Sequence, residues 1–221
     1  MLAVPYLAGL IAAGFRWPDV PLAGAWLGGY LLSYFVFQAV KSRRPIRYRT
    51  QLLLYAGLTV PLLAVVVVAR PAVLWYAPAY AVLVAVNAGY AARRRERALA
   101  NDLAAVVQCC LIVPLVATIA GHPIATAIPA FVLCLAYFTG TVFYVKTMIR
   151  ERGNPTYRRW SITYHVLALA AVAWIGPWAA GLFVWLLARA ALMPSVGWSP
   201  RRVGLVELAN CVALLACVAL T

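Results

Sequence analysis

QLLLYAGLTVPLLAVVVVARPAVLWYAPAYAVLVAVNAGYAARRRERALAND, Gln51 to Asp102, is the stretch that decides the fold. It holds two uninterrupted apolar runs, 51–69 and 71–90, separated by Arg70 alone and closed by Arg93, Arg94, Arg95 and Arg97. Each run is near the roughly 20 residues that a helix needs to cross a hydrocarbon core. The runs are continuous rather than alternating, and a backbone in lipid must satisfy its own hydrogen bonds, so helices fit and barrel strands do not.

Working outward, runs of the same kind occupy 1–15, 22–40, 103–120, 123–145, 160–176, 177–193 and 203–221. With 66% hydrophobic and 11% charged residues and a mean hydropathy of +0.89, the chain is far from a water-soluble composition. The expected fold is all-α: one polytopic transmembrane helical bundle of about nine helices, with residues 1–221 forming a single domain because no connection is long enough to fold separately. The apolar run that opens at Met1 has no basic n-region, so a signal peptide is not expected; either upstream residues have been lost or the first helix is short and partly interfacial.

A net charge of +14 would suggest nucleic acid in a soluble protein, but here position decides otherwise. Of the 19 Lys and Arg, all but Arg16, Arg70 and Arg189 fall in the connections after the second, fourth, sixth and eighth spans. No nucleic-acid partner follows from that pattern. Membrane lipids do, and the positive-inside rule places these loops and the N-terminus in the cytoplasm and the C-terminus outside. Trp17, Trp75, Trp174 and Trp178 near the outer boundary, with Trp160 and Trp198 near the inner one, suit an aromatic belt. The five cysteines all lie in apolar runs without CxxC spacing and read as small packing residues. Gly24 and Gly28 have the spacing for close helix contact. Pro61, Pro78, Pro114 and Pro129 are expected to kink their spans or free a carbonyl.

Orientation needs only a modest excess of cations, whereas the loop after span four has four arginines in five residues. Arg94, Arg95 and Arg97 are therefore candidate anion contacts. Asn101 or Asp102 is placed to cap the next helix. Asn87 lies one turn before Tyr90 on the same face, where an amide faces protein or a cavity. A second dense segment, YVKTMIRERGNPTYRRWSITYH (Tyr144 to His165), puts Tyr144, Thr147 and Glu151 on one stripe and Lys146 and Arg150 on the next, if the helix runs to about Arg152. Lys146 and Arg150 repel unless an anion joins them: Glu151 serves one, a phosphate both. Ser161, Tyr164 and His165 share a face, and His165 suits packing or ligand and proton handling.

Arg189 and Glu207 are expected at equal depth, roughly 7 to 8 Å inside, as a structural ion pair setting the register of the last two helices, with Asn210 one turn from Glu207. The chain has five acidic residues and no DxxD, so Mg²⁺ is expected only if Glu96, Asp102 and Glu151 converge. No acidic residue is expected near the midplane, which argues against a carboxylate proton relay.

At these segments the chain resembles a known family. ARRRERALANDLAAV (Ala92 to Val106) and YFTGTVFYVKTMIRERGNPTYRRWSITYH (Tyr137 to His165) are similar to the YwiC-like family of bacterial polytopic membrane proteins. The resemblance implies a multi-pass protein of the bacterial cell (inner) membrane and carries no activity with it. A His-Gly-Ala-Trp element often precedes the first span in that family; this chain opens at MLAVPYL. More distantly, the chain resembles the UbiA-type prenyltransferase superfamily, nine helices with two polar motifs on cytoplasmic loops. That likeness rests on NAGYAARRRER from Asn87 and YVKTMIRER from Tyr144. Its aspartates are replaced by Ala88 and Ala91, and Lys146 and Arg150 stand where carboxylates would be.

The functional expectation is a binder, or a UbiA-like transferase, holding a lipid-linked or isoprenoid phosphate or diphosphate in a cavity open to the cytoplasm. Arg94, Arg95, Arg97, Lys146 and Arg150 would contact the phosphate, and Tyr144, Tyr164 and His165 would shape the mouth. The alternatives are a small-anion transporter or channel and a structural accessory subunit.

Overall fold

The computed structural model describes residues 2–196 and 198–221, so Met1, where the expectation about the chain start falls, lies outside it. Among the described residues the helices are α1 (Ala3–Ala13), α2 (Asp19–Ser42), α3 (Arg49–Ala69), α4 (Ala77–Ala92), α5 (Leu99–Cys110), α6 (Ile112–Ala120), α7 (Ile124–Ile149), α8 (Pro155–Val172), α9 (Pro177–Leu192) and α10 (Pro200–Ala219). The all-α bundle expected from the apolar runs is present. Among the described residues six segments are long and apolar enough to cross a membrane: Asp19–Ser42, Pro45–Ala69, Pro71–Ala92, Leu99–Ala120, Ile124–Ile149 and Pro200–Ala219. The protein is thus a multi-pass membrane protein.

Ten helices answer to nine runs because the fifth breaks at Leu111. Pro114 has no N–H for the Cys110 carbonyl and its ring crowds that turn, and the Leu115 amide reaches the Leu111 carbonyl only at 3.4 Å. The Pro114 carbonyl accepts from the Tyr76 and Thr118 hydroxyls, each at 3.0 Å. Pro61 and Pro129 sit within the continuous helices α3 and α7. Pro78 does not kink a span as expected: it lies in the first turn of α4, after a 3₁₀ segment Pro71–Tyr76, where a missing N–H costs nothing.

α5 and α6 run through the middle of the bundle, with α7 and α1 beside them; α2, α3 and α4 pack on one flank and α8, α9 and α10 on the other. The first helix is short, as expected. It wedges against α6, α7 and α10, with Ala8 fully buried. Gly9 makes this approach possible, since a Cβ there would lie 3.0 Å from the Val116 Cβ. Gly24 and Gly28 act as their spacing predicts: a Cβ on Gly28 would lie 2.6 Å from the Thr59 hydroxyl, so only small residues allow α2 onto α3.

One end of the bundle gathers the basic connections. At the other, Arg70 departs from the charge pattern for a local reason. Its Nε donates to the Ile119 carbonyl at 2.9 Å, covering an otherwise open carbonyl at the end of α6. Trp17, Trp75, Trp174 and Trp178 are exposed, as lipid-interface side chains should be.

Candidate functional site

The basic end is held together by pairs rather than by one convergent patch. Lys146, one turn from the end of α7, bonds the Asp102 carboxylate of α5 at 2.7 Å and the Arg97 carbonyl at 2.7 Å. Lys41 lies 2.5 Å from Glu96, and this contact holds the Glu96 carboxyl below the usual carboxylate range. Asn101 donates to the Glu96 carbonyl at 2.8 Å.

These bonds correct two expectations. Neither Asn101 nor Asp102 caps α5, whose N-cap is Ala98, because both side chains are engaged across the loop. Glu151 does not serve Lys146 or Arg150. The helix ends at Ile149, and Glu151 turns to accept from Asn154 at 2.9 Å, while the other face of that amide accepts from Thr156 and Tyr157 and caps α8. Glu96, Asp102 and Glu151 therefore go to three different partners, and no cluster of three metal-ligating side chains occurs among the described residues. Arg152 and Arg158 serve the scaffold, donating to the Trp198 and Ala191 carbonyls at 3.1 and 2.6 Å.

Between α5 and α7 the basic end opens into a cavity of about 380 Å³ lined by Asp102, Ala105, Thr141, Val142, Val145, Lys146, Ile149 and Arg150. Depth follows the order along α7: Arg150 at the helix end, Lys146 one turn in, Thr141 deepest. Arg94, Arg95 and Arg97 are exposed on the loop before α5 and line none of it. Asn87 is buried on the far side, donating to Gln108 at 2.9 Å. Tyr164 donates to the Ala136 carbonyl at 3.0 Å and stacks on Phe143. Thr147 is buried and bonds back to Phe143 within its own helix.

Behind the cavity lies a polar core that only partly shows in the sequence. Arg189 and Glu207 pair as expected, and the register of α9 against α10 is fixed there. The pair has more support than the sequence predicts. Thr141 donates to Glu207 Oε2 at 3.0 Å and the Tyr137 hydroxyl to the same oxygen at 3.1 Å, while the Arg189 guanidinium lies 4.0 Å from the centre of the Tyr144 ring. Arg189 is 1% exposed. Trp185 donates to Asn210 at 2.9 Å, and the His165 Nδ1 lies 2.7 Å from the Ser161 carbonyl. The other edge of the His165 ring faces Gly140 of α7, where a Cβ would lie 3.0 Å from Nε2. Tyr144 and His165 thus belong to this buried core rather than to the cavity mouth.

Thr141 joins the two regions, because it lines the cavity floor and also bonds Glu207. Tyr137 and Thr141 escape a search for charged motifs. Their signal is spacing: Tyr137, Thr141 and Tyr144 recur at i, i+4 and i+7, one polar stripe in an apolar span. Asp19 was also missed. It is fully buried at the start of α2, accepts from the Arg16 amide at 2.7 Å, and its own carbonyl accepts from the Tyr6 hydroxyl at 2.7 Å.

The fold and site define a polytopic α-helical membrane protein with a buried ion-paired core and a half-polar cavity at its basic end. Such a class is broad, and comparison with known proteins narrows it. The chain belongs to the YwiC-like family: the family model described as YwiC-like protein matches residues 1–117. The "Uncharacterized protein YwiC" of Bacillus subtilis (strain 168) is 31% identical over 229 residues, covering 100% of this chain and 93% of that protein. An "Uncharacterized protein" of Haemophilus influenzae is 31% identical over 215 residues, covering 95% of this chain and 89% of its own length. No solved structure matches the chain. The family match ends within α6, so the polar core of Tyr137 to Asn210 lies in the part covered by the two relatives. These matches do not show the likeness to UbiA-type enzymes.

Proposed function

We propose that this membrane protein binds a phosphate-bearing lipid, lipid-linked or isoprenoid, in the cavity between α5 and α7, on the face that the charge pattern assigns to the cytoplasm. One observation carries the reading: the cavity is amphiphilic along its length. Lys146 and Arg150 stand at its shallow end, and Val142, Val145, Ile149 and Ala105 form its walls. An Arg fork and a Lys ammonium suit phosphate oxygens, and an apolar chain gains from burial along the aliphatic wall. Asp102 keeps Lys146 extended toward the opening, and a phosphate takes its place beside Arg150. The reading is binding, with no bond-making step assigned.

A second reading, passage of a small anion, draws on the buried Arg189 behind the cavity floor. The polar strip ends, however, at Tyr137 and Asn210. Beyond them Leu133, Cys134, Leu214 and Cys217 are packed and buried, which favours the lipid reading over a path to the far side.

The test compares farnesyl phosphate, dodecyl phosphate, inorganic phosphate and an uncharged dodecyl glycoside as stabilisers of the purified protein in thermal unfolding. The amphiphilic phosphates should raise the midpoint while inorganic phosphate and the glycoside leave it in place. Arg150→Gln should weaken the apparent affinity by roughly 10- to 100-fold, the worth of one charge-assisted contact. Arg94→Ala with Arg95→Ala should leave it unchanged. Equal shifts in wild type and Arg150→Gln would overturn the proposal, and a response to inorganic phosphate alone would favour the small-anion reading.

A further inference from the structure

A second cavity, of about 430 Å³, lies among α2, α3, α4 and the α5–α6 break, on the opposite flank of α5 from the basic end. Its volume is that of an ordinary small-molecule site. No lining side chain is charged, so an ionic headgroup would find nothing to pair with there. The walls are aliphatic and aromatic: Leu22, Leu63, Val66 and Ile112, with Trp26 and Tyr80 set edge to face at 6.3 Å.

Three polar side chains among these walls have a donor free. The Thr59 and Tyr80 hydroxyls both line the cavity, and both are buried without a hydrogen-bond partner. Thr59 is 9% exposed. Gln108 also lines it, and because its carbonyl oxygen is taken by Asn87 at 2.9 Å, its NH₂ remains to donate. A buried hydroxyl without a partner is costly, and a chamber offering three donors and no cation asks for uncharged acceptor oxygens.

We infer that this cavity is a binding site for an uncharged, carbonyl-bearing lipid, whose oxygens accept from Thr59, Tyr80 and Gln108 while its apolar body fills the space between Trp26 and Val66. Ester carbonyls of a glyceride and ring carbonyls of a quinone present this same chemistry. The site is separate from the phosphate cavity, with which it has no lining residue in common, and it stands or falls independently of it.

The experiment measures binding of three probes to the detergent-solubilised full chain by thermal unfolding and native mass spectrometry: dioctanoylglycerol, decylubiquinone and hexadecane. The wild type should bind at least one carbonyl probe and gain nothing from the hydrocarbon; which probe binds separates the glyceride from the quinone source. Thr59→Val with Tyr80→Phe keeps the shape and removes two donors, and should weaken binding by about 10-fold. Gly29→Leu lines the same cavity, where the nearest contact of a Cβ is 3.8 Å from the Thr59 methyl, so it fills the space without a backbone clash and should abolish binding. Unchanged affinity in the Thr59→Val, Tyr80→Phe variant, equal binding of hexadecane, or no binding of either carbonyl probe overturns the inference.

Discussion

Removing both partners of the Arg189–Glu207 pair should cost well under the sum of removing each alone. Glu207→Ala leaves the Arg189 guanidinium, 1% exposed, without a counter-charge, and strips an acceptor from Tyr137 and Thr141. Breaking a buried pair from one side costs about 3–5 kcal/mol. Arg189→Met should cost less, toward about 3 kcal/mol, because the Glu207 side chain is 14% exposed and keeps two hydroxyl donors. The double variant Arg189→Met, Glu207→Ala removes both charges and should cost well under the sum, with a coupling of about 2–3 kcal/mol. Exchanging the two residues should rescue only in part. The exchange keeps the pair but puts a carboxylate against the Tyr144 ring, where the guanidinium now sits 4.0 Å from the centroid, an interaction worth up to about 2 kcal/mol when desolvated. The assay is a double-mutant cycle by denaturant titration in mixed micelles. Additivity within about 0.5 kcal/mol would refute the reasoning.

Three further outcomes follow from local geometry. Gly140→Ala should destabilise by about 1–3 kcal/mol, since its Cβ would meet His165 Nε2 at 3.0 Å and Tyr164 Cε1 at 3.3 Å; in the His165→Ala background the penalty should shrink, and an unchanged penalty in both backgrounds would dismiss the contact. Asn154→Ala should cost about 1 kcal/mol through loss of the α8 cap, read as a lower unfolding midpoint, while Asn154→Asp keeps the cap but sets a second carboxylate against Glu151 and should recover only part of that loss. The carboxyl of Glu96 is held below its ordinary value chiefly by its hydrogen bond to Lys41. A depressed folded-state value gives stability that is present above the unfolded value of about 4.3 and fades as pH falls through the lower folded one. Lys41→Met should therefore flatten the acid limb of the stability profile below about pH 5, and two superimposable limbs would remove the pair from account.

The bundle was legible because each span advertises itself by hydropathy and each connection by charge. What the sequence hides is where a span is interrupted and which loop atoms meet. Pro114 reads as a kink, yet nothing in its own run shows that the Tyr76 hydroxyl, from the 3₁₀ segment before α4, donates to its carbonyl. The Arg189–Glu207 pair could be read because two ions at matched depth have few other partners. Its hydroxyl donors show in the sequence only as the polar stripe of Tyr137, Thr141 and Tyr144, and their partner is set when the fold brings α10 beside α7. The arginines after α4 read as an anion site in the sequence, yet Arg94, Arg95 and Arg97 are exposed and line neither cavity. Glu96 and Asp102 instead pair with Lys41 and Lys146 from α2 and α7, and pairings so distant along the chain leave no periodic trace.

The interruption at Leu111 gives α5 an unusual position. As a separate rod of twelve residues it presents Asp102 and Ala105 to the chamber at the charged end and Gln108 and Cys109 to the neutral one, with its joint just beyond. A tilt of that rod cannot widen one compartment without redrawing the wall of the other. If guests in the two compartments each prefer a tilt, each biases the reception of the other by the same factor.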